Sequence, residues 1–171
     1  METSQQANLK KVFISLGSNL GDRAAYIRNA TRFISDNPGI KLVRSSRLME
    51  TSPLGPVPQG EYLNQILMIF TTMSPPDLLS ALKLIELKLG RKKRKRWAQR
   101  EIDIDIIAYQ GAITRTTELW IPHKEIPNRL FVLEGLKELD PGYILEGSTE
   151  SVEQLYFSKV KGLKSQIVKF L

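Results

Sequence analysis

The sequence predicts an α+β fold with a ferredoxin-like β-α-β-β-α-β core: an antiparallel sheet with helices packed on it, followed by a C-terminal extension. Three observations carry that prediction. Four segments rich in β-formers, at 11–16, 40–49, 62–72 and 101–109, are separated by two stretches of helical period, at 22–37 and 74–89. The 171 residues are 42% hydrophobic and 25% charged, enough to bury a core as one domain. Cysteine is absent, which excludes disulfides and thiolate-bound metal centres, so the core must hold by packing alone.

Taken in order, Lys11 to Leu16 reads as the first strand and stops at Gly17-Ser18-Asn19. A helix from Asp22 to Asn37 follows, its buried stripe formed by Ala25, Ile27, Ala30, Phe33 and Ile34, and Pro38-Gly39 closes it. Ile40 to Met49 is again strand-like, and Tyr62 to Thr72 makes a further strand across a Pro/Gly-rich loop at 51–60. Ser74 caps a second helix with proline in its first turn; Leu78, Leu79, Leu82, Ile85 and Leu89 are its stripe and Gly90 its stop. In the last core strand Ile102, Ile104, Ile106 and Ala108 alternate with Glu101, Asp103, Asp105, Ile107 and Tyr109, the period of a strand with one face buried. Beyond the core come a short strand at 118–121, a turn at Ile126-Pro127-Asn128, a helix from Arg129 to Leu139 and a less regular C-terminal region.

The polar residues 1–9 read as a flexible tail and 10–171 as a single domain, a length that leaves no room for a second catalytic unit. The tail lacks an apolar signal core and no apolar run is long enough to cross a bilayer, so a cytoplasmic protein with no membrane partner is expected. Seven of the 25 basic residues fall between Arg91 and Arg100. Without them the basic residues equal the 18 acids, so the formal charge of +7 belongs to one loop. That balance argues against a generally basic nucleic-acid-coating surface.

That loop ends three residues before Asp103-Ile104-Asp105. Aspartates two residues apart on a strand project from one face, close enough to share a hard cation through oxygen ligands; the alternative is a solvated sheet face. Adjacent cations favour the metal reading, since a magnesium-bound polyphosphate needs carboxylates for the ion and basic groups for the remaining charge. Trp97 fits either a lid over a flat ring or the core. The segment Thr51-Ser52-Pro53-Leu54-Gly55-Pro56 fits a binding loop or a connector. His123, the only histidine, cannot form a multi-histidine metal site, and Gly17 to Asp22 lacks phosphate-loop spacing and reads as a turn and helix cap.

Several of these residues recur in one known pattern. Phe13-Ile14-Ser15-Leu16-Gly17-Ser18-Asn19-Leu20-Gly21, Thr51-Ser52-Pro53-Leu54-Gly55-Pro56, Tyr62-Leu63-Asn64, Ile85-Glu86-Leu87, Gly90-Arg91, the run from Arg96 to Asp105, Ile121-Pro122-His123 and Asn128-Arg129-Leu130-Phe131 occur in order between about Lys11 and Pro141. Together they resemble the 6-hydroxymethyl-7,8-dihydropterin pyrophosphokinases. The resemblance implies the same fold and a folate-pathway reaction in which ATP gives its β,γ-pyrophosphoryl group to the pterin hydroxymethyl oxygen, leaving AMP. It implies Asp103 and Asp105 as ligands of two magnesium ions and Arg91 and Arg100 as catalytic phosphate contacts. On the nucleotide side it implies Glu86, Trp97, Ile106, His123, Lys124 and Arg129. On the pterin side it implies Thr51, Ser52 and Leu54 through mostly backbone bonds, Asn64 through its amide, Tyr62 and Phe131 as aromatic plates, and Trp97 closing over them.

The chain departs from the pattern at Ser52, at Ala98-Gln99 and at Glu118, Trp120 and Lys124, which bears on nucleotide contacts. The basic run is also denser, and Lys92, Lys93, Arg94 and Lys95 receive no individual role. The expected partners are ATP and the pterin, with a monomer and no nucleic acid. An RNA-recognition module would share the fold and basic loop, but its aromatic strand signature is missing and two acids occupy the distinctive strand. A regulatory ligand-binding domain would leave the acids and their arginines unexplained. The loop from Arg91 to Arg100 is expected to stay solvated without a polyanion, because adjacent cations repel.

Overall fold

The computed structural model describes residues 9–53, 58–92 and 98–171. Strand β1 (Lys10–Ser18) leads through α1 (Arg23–Ser35) to β2 (Ile40–Ser45), β3 (Met49–Thr51) and β4 (Tyr62–Thr71); α2 (Pro75–Lys88) then precedes β5 (Asp103–Tyr109). The expected helix starts are present: Asp22 accepts from the Ala25 N–H, and Ser74 accepts from the Asp77 N–H with Pro75 and Pro76 in the first turn. β1 lies between β5 and β4, antiparallel to both, and β4 carries β2 along one part of its length and β3 along the other. The sheet order is that of the split βαβ unit.

The segment read as one strand from Ile40 to Met49 is two. Ser46 is buried and its hydroxyl accepts the Ile66 N–H at 2.9 Å, while its own N–H goes to the Ile66 carbonyl, so a side chain interrupts the ladder and β3 restarts opposite Asn64. β5 carries a second departure. Its register with β1 shifts between Phe13 and Ile14, and the extra residue swaps the faces beyond it: Tyr109 joins the helix side with Ile104 and Ile106, whereas Ala108 joins Ile107 on the other.

The sheet therefore buries both faces. On one side Ile27, Ala30 and Ile34 of α1 and Leu78, Leu82 and Ile85 of α2 pack on Val12, Ile14, Leu16, Leu67, Ile69 and Ile104. On the other, α3 (Leu130–Leu139) and α4 (Val152–Lys159) come from the C-terminal part and close over Phe13, Met49, Ile66, Met68 and Ile107. The expected strand near 118–121 is a small ribbon of β6 (Thr114–Arg115) with β7 (Trp120–Ile121). The irregular C-terminus ends in β8 (Val168–Phe170), which extends the main sheet by pairing with β3.

The approach of α3 depends on Gly135. A Cβ there would stand 2.2 Å from Cγ1 of Ile66, itself fully buried. Gly135→Ala should overpack this contact and cost about 1–3 kcal/mol, lowering the thermal midpoint by several degrees; calorimetry of the variant checks it.

Candidate active site

Along each central strand the second sheet face changes character from end to end. Phe13 gives way to Ser15 and Gly17 on β1, Met68 and Ile66 to Asn64 and Tyr62 on β4, and Ile107 to Asp105 and Asp103 on β5. The apolar ends lie beneath α3 and its neighbours. The polar ends floor a cavity of about 480 Å³. Its walls come from Thr51 and Ser52, Ala98 and Arg100, His123 to Glu125, Asn128, Arg129 and Phe131, and Gln166 to Val168.

Register sets the floor. Gly17 stands opposite Asn64 on one side and Asp103 on the other, with Ser15 opposite Asp105. A Cβ on Gly17 would meet the Asn64 Oδ1 at 3.0 Å, so the glycine lets that amide lie across β1. The buried Asn64 donates through Nδ2 to Thr51 Oγ1 at 2.8 Å, which orients its amide. Tyr62 flanks it, and burial, aided by the Asp103 charge, raises the phenol pKa, so its ring is neutral.

The opposite end is ionic. Arg91 reaches Asp103 Oδ1 at 2.6 Å and Arg100 reaches the same oxygen at 3.0 Å. Burial disfavours the charged Arg100, but the Asp103 carboxylate outweighs it and the guanidinium pKa is raised. Asp105 is exposed and makes no hydrogen bond or ion pair among the described residues. Two carboxylates on one face, one of them uncommitted, suit a hard cation whose other ligands come from phosphate and water. Among the described residues no group of three or more acidic or histidine side chains could hold a metal by itself.

Below this pair Glu86 is 2% exposed. Its carboxylate accepts the Ile104 N–H at 2.7 Å and pairs with Lys83 and Arg91, so α2, the outer edge of β5 and Arg91 meet at one buried acid. Two residues read as nucleotide contacts are thus not at the cavity wall: Glu86 is saturated beneath it, and the Ile106 side chain lies in the helix-side core. Leu54 and Trp97, with Lys93 to Arg96, lie outside the described residues. The other expected residues line the cavity, apart from Arg91, which stands behind Asp103.

Sequence reasoning missed several wall residues and one residue that holds the wall from behind. Asn19, read as part of a turn, is a buried clamp: Oδ1 accepts the Arg100 N–H at 2.8 Å and Nδ2 donates to Gln59 at 2.9 Å, joining the Arg100 segment to the loop before Tyr62. Its position in a Gly-Ser-Asn turn was the available signal. Asn128 stood in the Asn128-Arg129-Leu130-Phe131 motif without a role of its own; Glu125 and residues 166–168 gave no signal, because their place depends on how the second helical layer folds back.

His123 docks by its own N–H on the Ile107 carbonyl, and its Nδ1 accepts from the Glu125 N–H. Burial lowers its pKa below that of a free imidazole, with Arg129 and Lys124 adding to this and Asp105 and Glu125 opposing it. The folded protein therefore binds this proton less readily than the unfolded chain. Stability from the neutral ring is complete above about pH 6.5 and is lost as pH falls through the lower folded value. His123→Gln should flatten the slope of unfolding free energy with pH over that acid range; urea titrations at several pH values check it.

Comparison with known proteins identifies the family. Residues 13–141 match the family described as 7,8-dihydro-6-hydroxymethylpterin-pyrophosphokinase (HPPK). A 2-amino-4-hydroxy-6-hydroxymethyldihydropteridine pyrophosphokinase of Methylorubrum extorquens is 38% identical over 141 residues, covering 82% of this chain and 89% of that protein. The bifunctional protein FolKE of Lactococcus lactis subsp. lactis is 40% identical over 131 residues, covering 77% of this chain but only 38% of its own length. Among solved structures, an HPPK-DHPS in complex with substrates superposes with a TM-score of 0.70 at 14% identity, covering 91% of this chain and 46% of that one. The chain spans less than half of that structural neighbour, which speaks for the fold alone. The family match and the identity to the Methylorubrum protein go further: this chain belongs to the 7,8-dihydro-6-hydroxymethylpterin-pyrophosphokinase family.

Proposed function

We propose that the cavity divides the work of the family's reaction between an ionic end for ATP and an amide-and-aromatic end for the pterin. The chain is an ATP-dependent pyrophosphokinase of folate biosynthesis, acting on 6-hydroxymethyl-7,8-dihydropterin. The hydroxymethyl oxygen attacks the β-phosphorus, the bond to the α,β-bridging oxygen breaks, and AMP leaves with that oxygen. One observation carries the assignment of sites: a single cavity is lined by Asp103, Asp105 and Arg100 on one side of β1, and on the other by Asn64 and Tyr62 of β4 with Thr51, while Phe131 lines the same cavity.

At the pterin end the Asn64 amide both donates and accepts, matching the mixed edge of a pterin ring, with Thr51, Ser52 and Leu54 contributing backbone groups. Tyr62 and Phe131 hold the bicycle between their faces. At the ATP end Asp103 and Asp105 would hold magnesium, two ions being expected, which when bound would offset phosphate charge. Arg91 and Arg100 already stand at Asp103, so their charge is in place before phosphate arrives and needs little reorganisation as negative charge moves to the leaving oxygen. His123, Lys124 and Arg129 flank the remaining phosphate and nucleotide, Ile106 supports the floor from beneath, and Glu86 fixes Arg91. To Trp97, outside the described residues, we assign the role of covering the bound rings. No helix among the described residues is long and apolar enough to cross a membrane. We place the protein in the cytoplasm as a single-domain monomer.

Asp105→Asn should lower turnover at least about 100-fold, since a Lewis-acid contribution amounts to several kcal/mol, while an exposed, unpaired side chain leaves the melting temperature unchanged. AMP formation from ATP, magnesium and reduced hydroxymethylpterin tests this, and near-normal turnover would remove the carboxylate pair from the site. Asn64→Ala should weaken pterin binding by about 1–3 kcal/mol and ATP binding much less, because it deletes a buried hydrogen-bonding partner at one end only. Calorimetric titration with each ligand separates the two, equal weakening of both pointing instead to a folding defect.

A further inference from the structure

The family match ends at residue 141, yet the cavity wall includes Gln166, Ile167 and Val168. The tail that carries them is anchored at two places. β8 pairs with β3, setting Val168 opposite Thr51, and the Gln166 side chain reaches the start of α3. Its Nε2 donates to the Asn128 carbonyl at 2.7 Å and its Oε1 accepts the Leu130 N–H at 2.9 Å. Those two backbone groups flank Arg129. Arg129 is the N-cap of α3 and makes no side-chain capping bond, so the first helical N–H, left without an intrahelical partner, is satisfied by Gln166 instead. A side-chain amide is the group that can give to a carbonyl and accept from an N–H at once.

We propose that Gln166 is a positioning residue for the pyrophosphokinase reaction: its amide fixes the backbone on both sides of Arg129 and so aims the Arg129 guanidinium and the Phe131 ring into the cavity. This rests on the reading that Arg129 and Phe131 meet the substrates. Arg129 has extended backbone geometry at a helix entrance, where without the clamp its φ and ψ would be set by the turn alone. The C-terminal tail is then a working part of the site rather than a covering of the sheet edge.

Gln166→Met keeps side-chain length and removes both bonds. It should lower kcat/KM about tenfold, as expected for two backbone contacts that position binding groups, with a near-normal melting temperature. In Arg129→Ala and Phe131→Ala backgrounds the further loss from Gln166→Met should be less than additive in at least one. Phe170→Ala is the control: it removes the ring stacked under Arg47 and loosens β8 without touching the partners of Gln166, so kcat/KM should stay within about twofold well below the melting transition. If Gln166→Met gives no cooperative melt, Gln166→Glu, which keeps the acceptor and loses the donor, carries the same test. Wild-type kinetics for the Gln166 variant, full additivity in both backgrounds, or an equal loss in Phe170→Ala would each overturn the inference. Unchanged kinetics in both Arg129→Ala and Phe131→Ala would overturn the site reading and this inference with it; losses in both beside a silent Gln166→Met would overturn this inference alone.

Discussion

The site exists because the second helical layer covers only part of a sheet face. Had α3 and α4 extended over the whole face, Asp103 and Asp105 would be buried charges without solvent, a cost of several kcal/mol for each ion. Ending the cover at Phe131 leaves the two carboxylates open to the cavity, while Phe13, Ile66 and Ile107, one or two pairings further along the same strands, hold the layer down. Close packing at Gly135 is what lets so short a helix bind the sheet tightly enough for this.

Rigidity at the floor and adjustability at the rim follow from the same arrangement. Asn64, Asp103 and Asp105 sit on strands whose pairing fixes their spacing, and the bulge in β5 lies on the covered side of Asp105. β5 is a sheet-edge strand, and two of its outward groups are taken, the Ile104 N–H by the Glu86 carboxylate and the Ile107 carbonyl by the His123 N–H, which ties down the edge bearing both acids. Arg91 and Arg100 leave the floor on loop segments, tied by Glu86 and Asn19 respectively. A transferring pyrophosphoryl group needs this combination, because preorganised charge acts on it only when the charge is held where phosphate oxygens arrive.

The carboxylate and arginine cluster is also balanced without ligand. Asp103 faces two guanidinium groups, and Glu86 compensates Arg91 from below, so the concentrated charge of the basic segment is partly met by acids inside the protein. Asp105 remains the uncommitted acid of the pair. The partly exposed Asp103 pairs contribute little to stability, and their value here is placement.

The sequence by itself determined the core order of strands and helices, because hydrophobic period and capping residues are local: Asp22, Ser74 and the alternation through Ile102, Ile104 and Ile106 act within a few residues of where they are written. It also determined the pairing of acids with arginines, since Asp103, Asp105 and Arg100 share one loop-strand unit. Tertiary structure decided the rest. That Ser46 breaks a strand depends on Ile66, 20 residues away, and that Ala108 and Tyr109 exchange faces depends on the register with β1. That Glu86 is sealed beneath the site depends on α2 meeting the free edge of β5, and that Gln166 belongs to the wall depends on the C-terminal strand returning to β3. Each of these is a contact between segments far apart in the chain, where no local periodicity records the partner and only the closing of the sheet selects it.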